Sequence, residues 1–308
     1  MKKNITTEKG PAAPVNTKSG LETMRHGDDF FPCAPYLDVY QTAHDFYPWH
    51  WHNELEISYV VSGCVRASVN EQQYLLHSGD GIFLNQRVLH SYSGGGKRQT
   101  QMPNILFHPS LIYGTQDTVY WEKYVKPLTL SPDFSHMVLR GDVPWQAEIL
   151  DRARQAFSFL TGEPFGYEFY VRGALSEVLL LMAQKIPAAK KQPSKNQAEN
   201  VRVRQMLSYI QLHYTEPLQV QEIADSASVS RRECLRTFRR VTGSSPMQYV
   251  IDLRLRKARQ LLAETDLPLL EICGLCGFQS QSYFTKLFHQ RTGSSPGKYR
   301  NSGNSSAS

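Results

Sequence analysis

The spacing of apolar positions changes along the chain. Between about residues 36 and 110 they fall in short runs: Glu56–Gly63 (EISYVVSG), Val65–Asn70 (VRASVN) and Gly81–Leu84 (GIFL), separated by Gly, Asn and Asp. Several short strands at this spacing predict a β-barrel or sandwich. Trp145–Leu160 and Phe169–Ile186 instead carry apolar residues at three- and four-residue steps, which predicts two helices. The second offers Leu175, Val178, Leu179, Leu180 and Met182, a face wide enough either to pack on its own domain or to meet a partner helix. From Pro187 to Ala198 periodicity disappears among two prolines and three lysines, the composition of a linker. Everything after Glu199 reads as helix until the Ser/Asn-rich end.

These patterns give an α+β multidomain order. Residues 1–28 are an expected mobile tail, 29–140 a barrel, 141–187 a helical segment for dimerisation or relay, and 188–198 a linker. Residues 199–300 form an all-α domain, and 301–308 a disordered tail.

The all-α part contains one phrase twice. Phe238–Tyr249 reads FRRVTGSSPMQY and Phe288–Tyr299 reads FHQRTGSSPGKY. One structural unit was therefore built twice, and a pair is too few for a solenoid. In the first copy, Leu218–Ala224 predicts a short helix with Val220, Ile223 and Ala224 inward, and residues 225–229 a turn. Ser230 then caps a second helix, and Glu233 is placed to complete a capping box. Cys234, Phe238 and Val241 share the buried stripe of that helix, while Arg232, Arg236, Arg239 and Arg240 lie off it. Gly243 ends the helix and Pro246 starts the next.

The second copy repeats the plan with Leu269–Cys273, a turn at Gly277-Phe278 and a cap at Ser280. Tyr283, Phe284, Leu287 and Phe288 are its packing residues, and Gln281, Ser282, Thr285 and Lys286 its exposed set. A short helix, a tight turn and a second helix with an exposed polar face form a helix-turn-helix that enters the major groove. Arg can read guanine there, Gln adenine, and Ser or Thr either. Tyr249–Leu262 predicts one continuous helix holding the two modules apart, so that both can meet the same DNA face one turn apart, about 34 Å.

Charge points the same way. Residues 199–300 hold 15 Lys and Arg against 9 Asp and Glu, which accounts for the chain's whole net charge of +6. The rest is balanced, which suggests a polyanion for the C-terminal part and a neutral ligand, or none, for the remainder.

Residues 200–300 resemble the DNA-binding domain of the AraC/XylS family of bacterial transcription regulators. The resemblance rests on Gly277–Arg300 (GFQSQSYFTKLFHQRTGSSPGKYR) and on the connecting pattern Arg254–Ala258 (RLRKA) followed by Leu261-Leu262. By position it implies base contacts from Arg231, Arg232, Leu235 and Arg236 in the first reader and from Gln281, Ser282, Thr285 and Lys286 in the second. Leu235 departs from the usual polar residue and suits a thymine methyl or no base at all. The resemblance further implies a cytoplasmic activator of double-stranded promoter DNA, acting on RNA polymerase as a homodimer under a small-molecule effector, with a carbohydrate as the class suggested.

The barrel segment carries His50-Trp51-His52 followed by Glu56, and later His90. Alternation puts His50 and His52 on one side of a strand. Three His and one Glu suit a divalent transition metal. The spacing resembles the cupin barrel, whose first motif is complete here. The second is degraded, with Asn85, Arg87 and Gly94 where Pro, Gly and Asn are usual. Two readings stay open: a metal site, or a metal-free effector pocket lined by the same histidines with Trp49 and Trp51 flanking them. An enzyme built on a metal cupin, an isomerase or dioxygenase, and a metal-responsive regulator are the rival functions to a non-enzymatic regulator without a cofactor.

Five cysteines form no disulfide framework and fit a reducing compartment. Cys273 and Cys276 form a C-x-x-C with no second pair, and packing is the expected role. No apolar stretch follows Met1-Lys2-Lys3, so no secretory signal is expected, and Val178–Ala183 is too short to span a bilayer.

Overall fold

A computed structural model describes residues 26–43, 45–96, 98–131, 134–185 and 196–304, which divide into two compact units between residues 198 and 199. Residues 1–25 of the expected leading tail, 188–195 of the expected linker and 305–308 lie outside the described residues. The expected linker's last three residues open a helix instead.

Among the described residues the first unit has nine strands: β1 Cys33–Tyr40, β2 Phe46–His50, β3 Leu55–Tyr59, β4 Cys64–Val69, β5 Gln72–His77, β6 Gly81–Leu84, β7 His90–Gly94, β8 Thr100–Phe107 and β9 His136–Leu139. They pair antiparallel into two sheets, ordered β1-β8-β3-β6-β9 and β2-β7-β4-β5. Two one-turn helices, α1 Ser110–Tyr113 and α2 Lys126–Thr129, lead to the long α3 Pro144–Gly162 and α4 Tyr167–Lys185.

Side-chain alternation separates two cores. Val65, Ala67 and Val69 of β4 meet Ile82, Leu84 and Tyr92 within the barrel. Leu55, Ile57 and Tyr59 of β3 join Phe83, Ile105 and Phe107 against Ile149 and Leu150 of α3 and Leu175, Val178 and Met182 of α4. The five-stranded sheet is thus covered on both faces, which leaves Glu56 and Ser58, the intervening residues of β3, on the face away from the helices. The wide apolar face of α4 serves this core. Leu180, grouped with that face from the sequence, is 42% exposed and belongs outside it.

The second unit is all α: α5 Asn196–His213, α6 Val220–Ser226, α7 Arg231–Thr242, α8 Pro246–Glu264, α9 Leu269–Leu275, α10 Gln281–Thr292 and α11 Pro296–Asn304. The first short helix starts and ends two residues later than expected. Ser230, Ser245 and Ser280 cap α7, α8 and α10 by accepting from Glu233 N, Gln248 N and Tyr283 N. The capping box at Ser230 is only half made: the Glu233 carboxylate turns to Arg236 and Thr237. Phe284 and Phe288 pack with Leu255, Ala258 and Leu262 of α8. Tyr283, expected to pack with them, is 51% exposed.

The two turns share one hydrogen-bond pattern. Ser228 N donates to Asp225 O and Val229 N to Ala224 O; Gly277 N donates to Gly274 O and Phe278 N to Cys273 O. Both pivots have positive φ, 53° at Ser228 and 80° at Gly277. A side chain is disfavoured there. Ser228→Gly is accordingly expected to stabilise the second unit by about 0.5 kcal/mol, the gain being reduced by the extra freedom of Gly in the unfolded chain. Chemical denaturation of the full chain measures it, and a loss of stability would show that the serine side chain earns its place.

Candidate functional site

The reader helix α7 separates its faces cleanly. Cys234, Phe238 and Val241 are buried, and Arg231, Arg232, Leu235, Arg236, Arg239 and Arg240 are exposed. At helical spacing, Arg232 and Arg239 stand at the middle of the exposed face, Leu235 and Arg236 to either side, and Arg231 and Arg240 at its margins. Arg236 is held by a fork of hydrogen bonds to Glu233, with its Nη2 2.8 Å from both carboxylate oxygens. Arg240 is ion-paired with Glu199 of α5. The face therefore presents one arginine held beside its centre and a cation already engaged at its edge.

On α10, Gln281, Ser282 and Lys286 are exposed and Thr285 is half-buried. His289 and Gln290 are exposed as well, and stand fifty residues on from Arg239 and Arg240. Neither is among the residues expected from the sequence to contact DNA, although the repeat's own offset is the signal that finds them. The two readers share a frame but differ in charge. Between them, Arg254 of α8 donates to the carbonyls of Tyr214 and Glu216 at 2.5 and 2.7 Å and lies over the Phe278 ring. It pins the second turn to the end of α5.

In the barrel, the histidines and the glutamate come together. His50 of β2 and His90 of β7 are register partners, beyond a bulge between Tyr47 and His50 that includes Pro48. A bulge of this kind re-aims the following side chain. His52 lies two residues further on, and Glu56 comes from the other sheet. All four are buried, at 0–1% exposure. The ligand nitrogens of His50, His52 and His90 lie within 4.8 Å of one another. Glu56 Oε2 is 3.0 Å from His52 Nε2 and 3.3 Å from His90 Nε2. Its Oε1 accepts from Ser58 Oγ at 2.6 Å and Tyr92 OH at 3.0 Å.

Each imidazole is also tied at its other nitrogen. Nδ1 of His50, His52 and His90 donates to the carbonyls of Pro48, Glu54 and Val88 at 2.8, 3.1 and 2.8 Å. Burial holds the His90 imidazole below its ordinary range, against the pull of Glu56. Trp49 and Trp51 are buried, at 4% and 7% exposure. His26, assigned from the sequence to the mobile tail, is 2% exposed, hydrogen-bonds Tyr36 OH through Nδ1 at 2.9 Å and sets its ring edge-on to His52. Beyond the cluster, buried Asn104 donates to Asp38 Oδ2 at 3.0 Å.

One departure in the second motif, Asn85, has a structural reason. Asn85 is buried and its Nδ2 donates to the carbonyls of Leu128, Thr129 and Phe134. Asp80 accepts from His77 N in its turn and pairs with Arg140 at 2.6 Å. Cys273 and Cys276 are buried; burial pushes the Cys276 thiol up to about 12, and Cys273 Sγ donates to Phe278 O. Both behave as packing residues.

Acid should loosen the first unit. Burial lowers the pKa of His136, whose nitrogens meet Tyr74 OH and Ser135 Oγ, and of His108. Unfolded, each titrates near about 6.5. Below that pH the unfolded chain binds more protons, so stability is fully present above it and falls as pH drops. The urea midpoint of the full chain is expected to be lower at pH 5.5 than at 7.5, and His136→Gln to shrink the difference. An unchanged difference would remove His136 from the effect.

Comparison with known proteins matches an AraC-like ligand binding domain to residues 36–178 and a helix-turn-helix domain to residues 223–302. An uncharacterized HTH-type transcriptional regulator of Bacillus subtilis (strain 168), YdeC, is 29% identical over 91% of this chain and 95% of its own length. The HTH-type transcriptional activator RhaS of Citrobacter koseri is 26% identical over 89% of this chain and 95% of its own. Among solved structures, fatty-acid-bound ToxT of Vibrio cholerae aligns with a TM-score of 0.41 at 11% identity, over 90% of this chain and 97% of that one.

Proposed function

We propose that this chain, which belongs to the AraC family of DNA-binding transcription regulators and carries that family's N-terminal ligand-binding domain, is a cytoplasmic activator that reads promoter DNA with α7 and α10 under the control of a small polar effector in the barrel. The observation that carries the reading is the α7 face, with five arginines and Leu235 outward over a buried Cys234, Phe238 and Val241. Activation follows the naming of the RhaS relatives as transcriptional activators. An activator at a promoter acts on RNA polymerase. Exposed Phe169, Tyr170 and Leu180 along α4 support a homodimer.

For the effector, a carbohydrate or similar polyhydroxylated molecule suits a barrel interior furnished with Glu56, Ser58, Tyr92, Asp38 and Asn104. Sensing, rather than turnover, is the barrel's role in this reading. No helix among the described residues is long and apolar enough to cross a membrane.

Selection of DNA from a random pool by the full chain tests the first half. Enrichment of one asymmetric sequence is expected; equal binding to all DNA would sink the reading. Titrating sugars into the selected complex tests the second half, because an effector must bind two arrangements unequally to regulate. DNA affinity unmoved by any sugar would remove the carbohydrate.

A further inference from the structure

We propose that Arg202 of α5 takes a backbone phosphate on the wall of the groove that α7 enters. The DNA interface then extends beyond the two reading helices, and Arg202 is a positioning residue for the first of them. The inference rests on the reading of α7 as a DNA reader.

The repeated frame shows where Arg202 stands. Each reading helix has a neighbour that pairs with its last turn: Glu199 of α5 with Arg240 of α7, and Asp252 of α8 with Arg291 of α10 at 3.4 Å. Each neighbour carries an arginine a few residues further on, Arg202 in α5 and Arg254 in α8. Both come near the third residue of the reading helix, which is Glu233 in the first module and Tyr283, fifty residues later, in the second. The hydrogen bonds of Arg236 hold the Glu233 carboxyl below the usual carboxylate range, and the charge of Arg202 adds to the effect. Burial lowers the Arg254 guanidinium, and the Tyr283 phenol opposes it.

The two arginines differ in what they hold. Arg254 is engaged inside the unit by the Tyr214 and Glu216 carbonyls and the Phe278 ring. Arg202 is exposed, and among the described residues its guanidinium enters no hydrogen bond or ion pair. The carboxylate whose charge it feels, Glu233, is already forked onto Arg236 at 2.8 Å. Arg202 thus keeps its five donors for an anion from outside the chain. Its place makes that anion a DNA phosphate. A reading helix meets base edges with its N-terminal residues. The major groove, about 12 Å wide, leaves its phosphate walls close beside a helix about 10–12 Å across. Arg202 flanks that N-terminal half, on the Glu233 edge of α7, where it also offsets the repulsion between Glu233 and the wall. A contact of this kind carries no sequence information but fixes the reader's register and orientation.

The test uses the full chain and its selected DNA. Arg202→Gln should weaken binding to selected and scrambled DNA by the same factor and lower the salt slope by about 0.9. Its deficit should therefore be roughly 3- to 4-fold larger at 50 mM than at 200 mM salt. Arg202→Lys, which keeps the charge, should restore most of the affinity and the slope. Single methylphosphonates walked along the selected site should find one position that weakens the wild type and leaves Arg202→Gln unchanged. No such position, a deficit confined to the selected sequence, or an unaltered salt slope would each overturn the contact. The Arg202→Gln deficit should also persist in a Glu233→Gln background. A deficit that vanishes there would make Arg202 a support for Glu233 alone and overturn the contact as well. The reading of α7 fails separately. A wild type that binds all DNA alike sinks that reading, whereas a selective wild type matched by Arg202→Gln at every salt concentration sinks only the phosphate contact.

Discussion

Gly277→Ala is expected to cost the second unit about 2–5 kcal/mol and to remove α10 from DNA reading. Two terms add. The backbone at Gly277 has φ of 80°, where a Cβ costs about 1–2 kcal/mol. A Cβ built there would also lie 2.5–2.7 Å from the O, Cα and C atoms of Thr215. These are main-chain atoms, at the end of α5 that Arg254 pins through the adjacent Tyr214 and Glu216 carbonyls. They cannot yield as a side chain would, and overpacking of this kind costs about 1–3 kcal/mol more.

Gly293→Ala is the control, because its φ is 72° but nothing lies within 4 Å of the added carbon. It should lose only the backbone term, about 1–2 kcal/mol. For a unit of roughly 100 residues each kcal/mol moves Tm by about 4–8 °C. Calorimetry on the full chain should therefore separate the two variants by roughly 4–24 °C. Equal shifts would show that the Thr215 segment moves aside.

The comparison with Ser228 explains what the sequence could reveal. Both turns need a left-handed residue, and the second announces it with glycine while the first conceals it under a serine at φ 53°. The repeated phrase was legible because caps and stops are local: Ser230, Ser280 and Gly243 act on backbone groups within four residues. The buried stripes of α7 and α10 followed from helical spacing for the same reason. Glu233 was misjudged because a side chain with two local partners goes to the stronger, and Arg236 offers a charged fork where the Ser230 backbone offers one N–H.

In the barrel, motif spacing found His50, His52, Glu56 and His90. It could not show the bulge at Pro48, which sets His50 opposite His90, nor the crossing of sheets that brings Glu56 to them. Ser58 and Tyr92, which hold that carboxylate, were missed because hydroxyls inside strands read as ordinary alternation. His26 was missed because its polar surroundings in the chain gave no hint of a long-range partner in Tyr36.

Arg232→Ala and Arg236→Ala are each expected to weaken binding to the selected DNA by about 1–3 kcal/mol, roughly 5- to 150-fold, and each to relax one base position. The geometry assigns them different surroundings. Arg232 stands at the middle of the outward face, exposed. Arg236 arrives already forked onto Glu233, whose carboxylate repels a phosphate but tolerates a base edge. Its rotamer is paid for before DNA is met, which favours base reading over phosphate neutralisation. Arg240 at the margin, paired with Glu199, should behave otherwise. Its alanine variant should weaken all sequences alike and reduce the salt slope by about one.

Arg232 and Arg236 are four residues apart on one face, so the double variant should depart from the sum of the singles. Gel-shift titrations on the selected site and on scrambled DNA, each at two salt concentrations, separate these outcomes. If Arg236→Ala weakened both DNAs equally and lowered the salt slope, Arg236 would be a phosphate contact. Glu233 would then be an obstacle to binding, and Glu233→Gln should tighten DNA without changing which sequence is preferred. If Arg236 instead reads a base, Glu233→Gln should raise affinity for scrambled DNA more than for the selected site, because the lost carboxylate frees the arginine to take phosphates it was kept from.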